Sequence, residues 1–451
     1  MQTFERDNIQ TFRFVRCGFD AATGVAQLVY AFDQGPELIE TITVPGAPFA
    51  LDAAREQAVN RAVRLLHLIA GVSYYKAAVP PSIRIEGYDI DKATAVLLEE
   101  IYFHGLAEFA YRNGLDLRGR IQFPANAPEM AAAPPLGLRD HALAAIGGGK
   151  DSLVTIEALR AAGQAQTATW VGGSQLIRAC AECSGLPMLR IGRMLAPELF
   201  EINRQDAYNG HIPVTAINSS ILVLAALLLD VDQVAFSNER SASSGSLVAD
   251  SGEVNHQWSK GWAFEKDFGE YVEQRIAADL RYYSLLRPLS ELAVARQFAR
   301  IDHYDAYFSS CNRNFHILGE KPAQRWCGLC PKCHFVFLAL APFMPKTRLM
   351  RIFGRNLLDD AEQTGGYDAL LEYREHKPFE CVGEGRESRA AMATLAQHPE
   401  WREDTLVARF VREIQPRLDP AGLAIEPLLR IGGEHRVPVA LWERVRANFA
   451  A

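Results

Sequence analysis

The 451-residue chain lacks an excess of positive charge: 47 Lys and Arg stand against 54 Asp and Glu, a formal net charge of −7. A general role on nucleic acid or on a membrane surface is therefore excluded, since such binding relies on a broadly basic face. Any anion it binds has to meet a local cluster. Long apolar runs are also missing. The longest near the middle, Ile221 to Leu229, stops at Asp230, well short of the ~18 residues that span a bilayer, and reads as a buried helix. The first residues, MQTFERDNIQ, show no basic segment followed by an apolar one, so no secretory signal is expected and the protein is expected in the cytoplasm. Its eight cysteines are unevenly spaced, which argues against a disulfide framework and for thiols or metal ligands. No internal repeat is present.

What remains is ordinary globular composition, 49% hydrophobic and 22% charged, long enough for two or three domains. FRFVRC, GVAQLVYAF and ELIETITV read as strands of an antiparallel meander, divided by the turn signals DAATG and DQGP. From Leu51 the apolar period lengthens and predicts a helix, capped near Asp52 and closed at Gly71. SIRIEGYDI predicts a short strand, and a second helix runs from about Lys92 to Arg112. These elements make an α+β N-terminal domain over residues 1–123. FPANAPEMAAAPPLG lacks periodicity and marks a linker, bounded at 124–139. Beyond it, HALAAI, TATWV, PMLRIG and QVAFSN alternate with helices over 151–162, SQLIRACAECSG and 214–229. That rhythm predicts a doubly wound α/β domain with a parallel sheet, extending over residues 140–451 with a mostly helical part beyond about Tyr271.

The first strand of this second domain ends in IGGGKDS. Three ordered glycines cost backbone entropy, and at a strand-to-helix turn they let a ligand approach the main chain where N–H groups converge, a setting that favours phosphate. Gly147, Gly148 and Gly149 would provide the approach, Lys150 a charge and Ser152 a hydroxyl, while Asp151 either holds magnesium or caps the turn. The loop is neither GxxxxGK[ST] nor GxGxxG. The plain alternative is a βα turn with no ligand. A second constellation joins Cys311 in SSCNRNF to Cys327, Cys330 and Cys333 in RWCGLCPKCHF. Two-residue gaps let adjacent thiolates reach one ion and a distant cysteine closes the tetrahedron, as structural zinc requires. An iron–sulfur cluster is the rival, although the cysteine expected three residues later is absent; free thiols are the third option, and His334 could substitute as a ligand.

IGGGKDS resembles the SGGxDS signature of the PP-loop ATP pyrophosphatases, with Gly147 in place of the usual serine. That resemblance implies a loop gripping the pyrophosphate of ATP and transfer of AMP to an oxygen. PP-loop enzymes that form the deazaguanine nitrile carry a CGxCxxC zinc site similar to CGLCPKC. HLIAGVSYYKAAVPP, EFAYRNGLDLRGRI, NGHIPVTAINS, AFSNERSAS and NHQWSKGWAFE extend the likeness along nearly the whole chain, which is similar to the MurL epimerases of UDP-N-acetylmuramoyl-L-alanyl-L-glutamate. Membership implies a cytoplasmic isomerase of peptidoglycan precursor synthesis that uses ATP and magnesium to invert the terminal L-glutamate through an acyl-adenylate. Its partners would be small molecules, ATP and the UDP-linked dipeptide.

For that chemistry, NERSASSGSLVADSGEVNHQWSK offers Glu239, Arg240, His256 and Lys260 after the strand QVAFSN, at the sheet edge where open α/β folds hold ligands. His256 and Lys260 are the candidates for proton transfer, Glu239 a further catalytic candidate, and Arg240 a partner for a carboxylate or phosphate. Against each stands an ordinary solvated side chain. His211 is a base or a turn residue; Trp258 and Trp262 stack on a nucleobase or pack in the core. Arg178, Arg190, Arg193 and Arg204 are cationic partners for two polyanions. Cys180 and Cys183 fall late in a helix and read as packing, and Cys17 and Cys381 as ordinary thiols. The competing functions are another PP-loop ligase, making an amide, nitrile or thiolated product, and a non-catalytic nucleotide-binding module.

Overall fold

Alternation in β1 (Thr11–Asp20) sends Phe12 and Phe14 into the core, and β2 (Val25–Phe32) and β3 (Leu38–Thr43) continue it as an antiparallel meander. The structure, a computed structural model, describes residues 4–248, 252–315 and 320–450. The helix Ala53–Ala70 starts where the Asp52 side chain accepts from the Arg55 N–H at 2.8 Å. It buries Val59, Val63, Leu66 and Ile69 against the helix Val214–Leu228, which is apolar nearly all round and correspondingly sunk in the core. β4 (Ser82–Ile85) lies parallel to β1 at the sheet's edge. The helix expected from Lys92 to Arg112 is two, Lys92–Gly105 and Ala107–Asn113. At the break Gly105 meets the Pro213 ring, and a Cβ there would lie 2.6 Å from Pro213 Cγ.

The later half supplies β5 (Arg139–Ala145), β6 (Gln166–Val171), β7 (Met188–Met194) and β8 (Val231–Phe236) as parallel strands. A hairpin of β9 (Ser246–Val248) and β10 (Gly252–Val254) follows, and β11 (Arg281–Ser284) then pairs in parallel with β8. Sequence periodicity missed β11 because four residues are too few to show a period of two. β5 sits in the middle, with β6 and β7 on one side and β8 and β11 on the other, so the winding reverses between β5 and β8.

Meander and parallel strands form one nine-stranded sheet, in the order β11-β8-β5-β6-β7-β3-β2-β1-β4. The join is antiparallel, Thr41 opposite Met194, Ile42 opposite Arg193 and Thr43 opposite Gly192. Beside it Arg193 Nε meets Glu40 Oε1 at 2.7 Å, with Glu40 fully buried. The stretch expected as a linker runs over the surface without regular structure but is held along its length: Ala127 N donates to Ile90 O at 3.0 Å and Met130 N to Asp91 Oδ2 at 3.0 Å. Ala133 N donates to Gln274 O at 2.7 Å, and the Asp279 carboxylate accepts from the N–H groups of Leu136, Gly137 and Leu138. A second core gathers the helices Lys150–Ala161, Glu291–Ala299, Pro331–Leu340 and Gly385–Ala396. Among the described residues no helix is long and apolar enough to cross a membrane.

Candidate active site

The turn after β5 runs directly into the helix Lys150–Ala161, with Gly149 at the N-cap. Gly148 has φ +80°, a conformation that strongly favours glycine. Its carbonyl accepts from Ser309 N at 2.9 Å, and a Cβ on Gly149 would run into Ser310 Oγ. Two of the three glycines therefore allow the 309–310 segment to lie against the loop. A Cβ on Gly147 would meet open space; its N–H donates to Ser152 Oγ at 3.3 Å, and that hydroxyl donates to Gly149 O at 3.1 Å.

Above the loop lies a cavity of about 370 Å³ at the carboxyl ends of β5, β6 and β8, where the winding reverses. Gly147, Gly149, Asp151 and Ser152 line one side, Ser309 and Ser310 another, and Lys260, Lys332 and Cys381 a third. Ser237 Oγ, also lining it, is buried with no hydrogen-bond partner among the described residues. Lys150 does not reach this space. Its ammonium is fully buried below, hydrogen-bonded to Asp151 and Glu291, and despite the opposing effect of burial these two carboxylates raise its pKa. Burial pushes the Asp151 carboxyl upward, but Lys150, Lys332 and Lys260 overrule it and hold it below its ordinary value.

The third side is a chain of titratable groups. Lys260 Nζ donates to Cys381 Sγ at 3.1 Å, and Lys332 Nζ donates to the Cys381 carbonyl. Burial alone would raise the Cys381 thiol, yet the charges of Lys260, His256 and Lys332 bring it down to about 5. His256 Nδ1 is hydrogen-bonded to Glu108, whose other oxygen accepts from Arg112 Nε at 2.5 Å. Burial lowers His256, but Cys381 and Glu108 together push it up to about 9. His211 lies with its ring centroid 4.1 Å from that of His256, and burial together with this neighbour lowers it to about 4.

The four cysteines Cys311, Cys327, Cys330 and Cys333 come together with all their sulfurs within 4.8 Å of one another. Cys327 and Cys333 are 3.7 Å apart, and Cys330 and Cys333 3.4 Å. A tetrahedral ion with metal–sulfur bonds of ~2.3 Å sets sulfurs roughly 3.8 Å apart, so the donor set fits one such ion. His334 is not part of it: its Nε2 is hydrogen-bonded to Gln363 Oε1 at 2.7 Å and its ring stacks on Tyr367. The cluster flanks the cavity on two segments, through Ser309 and Ser310 before Cys311 and through Lys332 before Cys333.

Family models for the MurL N-terminal domain and the MurL C-terminal domain match residues 3–285 and 307–423. The chain belongs to the MurL family of epimerases. A curated protein of Xanthomonas oryzae pv. oryzae (strain MAFF 311018) is 73% identical over 450 residues, covering the whole of both chains, and is named UDP-N-acetyl-alpha-D-muramoyl-L-alanyl-L-glutamate epimerase. Proteins of the same name from Micromonospora sp. (strain ATCC 39149 / NRRL 15099 / SCC 1413) and Salinispora tropica (strain ATCC BAA-916 / DSM 44818 / JCM 13857 / NBRC 105044 / CNB-440) are 42% and 43% identical. They cover 95% and 89% of this chain and 96% and 88% of their own. No solved structure matches. The MurL N-terminal match carries the glycine loop, His256 and Lys260, whereas the MurL C-terminal match carries the four cysteines, Lys332 and Cys381. Both contribute walls to the cavity.

Of the residues singled out from sequence, Gly147, Gly149, Asp151, Ser152 and Lys260 line the cavity, and His256 reaches it through Cys381. Glu239 is buried beneath it, accepting from Ala242 N at 2.8 Å, and burial together with Glu291, Glu387 and Asp151 pushes its carboxyl up to about 8. Arg240 points away, donating to Gly432 O at 3.3 Å. Arg178 and Arg204 pair with Glu182 and Glu201 on their own helices, Arg190 donates to Gly172 O, and Arg193 serves the sheet joint. Trp258 is half-buried against the edge of the core, stacked on His104. Cys180 is buried under the loop with its thiol 3.6 Å from Gly148 O, and burial pushes it up to about 12. Sequence reasoning took Cys381 for an ordinary thiol, which the structure corrects because three cations converge on it at the cavity wall, and it passed over Lys332, hidden among the cysteines of CGLCPKC, and Glu108, whose spacing carries no signal.

Proposed function

We propose that this epimerase inverts the terminal L-glutamate of UDP-N-acetylmuramoyl-L-alanyl-L-glutamate in the cytoplasm by first joining its carboxylate to AMP, with ATP and magnesium as co-substrates and pyrophosphate as the leaving group. The observation that carries the reading is the glycine turn at the N-terminus of the helix Lys150–Ala161. It opens into a cavity that also presents Lys260, Lys332 and the unpaired Ser237 hydroxyl. Main-chain N–H groups and the helix dipole suit a polyphosphate, and Lys332 adds positive charge to the same space. The residue-by-residue likeness of IGGGKDS to the PP-loop signature supports the same assignment, as do the relatives' names for the substrate.

The chemistry explains why a nucleotide would accompany an inversion. Removing the α-proton beside a free carboxylate builds a second negative charge on the same group. Esterified to AMP, the carboxyl no longer carries charge, and the Cα–H becomes acidic enough for a side-chain base. Asp151 would hold magnesium: one oxygen takes the Lys150 ammonium, and the other has no protein partner among the described residues. A carboxylate oxygen kept ionised is what a hard cation takes, and when bound the ion supplies charge neutralisation at the phosphates. The four cysteines would hold a structural zinc, whose tetrahedral spacing their sulfurs already match.

The test is incubation with ATP, magnesium and UDP-N-acetylmuramoyl-L-alanyl-L-glutamate, followed by measurement of AMP and of glutamate chirality. AMP with D-glutamate is expected. AMP without inversion would replace the reading by a ligase, and neither product would replace it by a nucleotide-binding module.

A further inference from the structure

Inversion at carbon needs a proton acceptor on one face and a proton donor on the other. Among the groups lining the cavity, Cys381 and Lys260 already stand in those two states. Their Sγ and Nζ atoms are 3.1 Å apart, and both side chains line the space into which the glycine loop opens. Charged neighbours surround the pair: Lys332 lies on the Cys381 carbonyl and His256 on its thiol, with Glu108 behind His256, while Glu380, next in sequence, opposes the thiolate. We propose that Cys381 and Lys260 are the two proton-transfer groups of the epimerisation, with the substrate Cα seated between them in place of their mutual contact.

In the forward direction the thiolate takes the α-proton of the L-residue, forming an S–H bond while the C–H electron pair moves into the activated carbonyl to give an enolate. The Lys260 ammonium then delivers a proton to the opposite face. The C–H bond and the carbonyl re-form, leaving a thiol and a neutral amine. Transfer of one proton from that thiol to that amine restores the resting pair. The four-carbon stem of lysine gives Lys260 the reach to part from Cys381 and admit a carbon atom.

The protonation states agree with these roles. The cations around Cys381 bring its thiol to about 5 against the pull of burial, so it is thiolate at neutral pH. The thiolate's charge in turn raises Lys260, outweighing burial, so that side chain is ammonium. Other candidates fit less well. Glu239 does not line the cavity, and the His256 imidazole is occupied by Glu108 and Cys381.

This assignment rests on the adenylation reading for its activated carbonyl, but its readout does not. The experiment follows deuterium entering Cα of glutamate when the enzyme, ATP, magnesium and UDP-N-acetylmuramoyl-L-alanyl-L-glutamate react in D2O. The native enzyme should place deuterium in the D-product, and Cys381→Ala and Lys260→Met should each lose turnover to that product by roughly 10²–10⁴-fold. Turnover by either variant within threefold of the native rate would overturn the pair. A second measurement needs no variant: alkylation of Cys381 in the native protein at pH 6, located by peptide mass, should abolish deuterium uptake, and uptake that survives full alkylation overturns the proposal. If the native enzyme inverts without releasing AMP, the adenylation reading falls, while the deuterium comparison still decides the roles of Cys381 and Lys260.

Discussion

Lys150 and Glu291 form a fully buried ion pair beneath the glycine loop, 141 residues apart in the chain, with Asp151 on the same ammonium. The helix Glu291–Ala299 thereby holds the start of the helix Lys150–Ala161 from behind, and the lysine's ammonium is engaged by these two carboxylates.

Removing one partner of a buried pair strands the other's charge, at a cost of about 3–5 kcal/mol. Lys150→Met, which leaves two carboxylates facing each other, is therefore expected to lower stability by about that amount in urea unfolding. Glu291→Gln keeps the Asp151 partner and should cost less. Equal losses would mean that Glu291 alone carries the pair.

Gly149 abuts the Ser310 hydroxyl. Gly149→Ala should displace the 309–310 segment and weaken nucleotide binding, with the steric cost about 1–3 kcal/mol. Adding Ser310→Ala should recover part of that loss. Isothermal titration with ATP and magnesium checks both, and a double variant no better than Gly149→Ala would refute the steric account.

The native protein should carry about one zinc per chain by elemental analysis, and Cys330→Ser should lose it and lower Tm by several degrees. Because the cluster anchors Ser310 on one segment and Lys332 on another, nucleotide affinity should fall with the metal content and return when zinc is restored to chelated native protein.

Asp151→Asn removes the charge that would hold magnesium, and AMP formation should drop at least about a hundredfold. Since the amide still fills the space beside Lys150, the fold should persist, as circular dichroism would report.

Only a thiolate is alkylated rapidly, and an ordinary cysteine ionises near pH ~8.5. With Lys260, His256 and Lys332 bringing Cys381 to about 5, its alkylation rate should be low at pH 4 and level off by pH 7. Lys260→Met removes the largest of the lowering influences and should move the midpoint upward. A midpoint near 8 in the native protein would contradict the electrostatic account.

Much of this was legible in the chain because local pattern encodes it. Asp52, Ser174 and the Asn-Gly pair at 113–114 delimit helices where capping chemistry says they should. IGGGKDS and the CxxCxxC spacing mark a strand-to-helix loop and three members of a four-cysteine cluster. Pairings between distant residues were not legible. Nothing in ELIETITV says that its free edge meets PMLRIG, and nothing in PFECVGE says that its thiol ends 3.1 Å from Lys260, 121 positions earlier. Lys150 misled for the same reason, because its ammonium answers to Glu291, which no motif connects to the loop. Arg240 sits where a strand-end cation belongs, but its reach is spent on Gly432.

The antiparallel seam of Thr41–Thr43 with Gly192–Met194, clamped by Arg193 on Glu40, stitches the early and late portions of the chain into a single sheet. Expressed as fragments, each would display a raw strand margin with unquenched amides and a stranded ion, and such margins invite aggregation. Exchange of one portion for a foreign module would require a matching margin on the other.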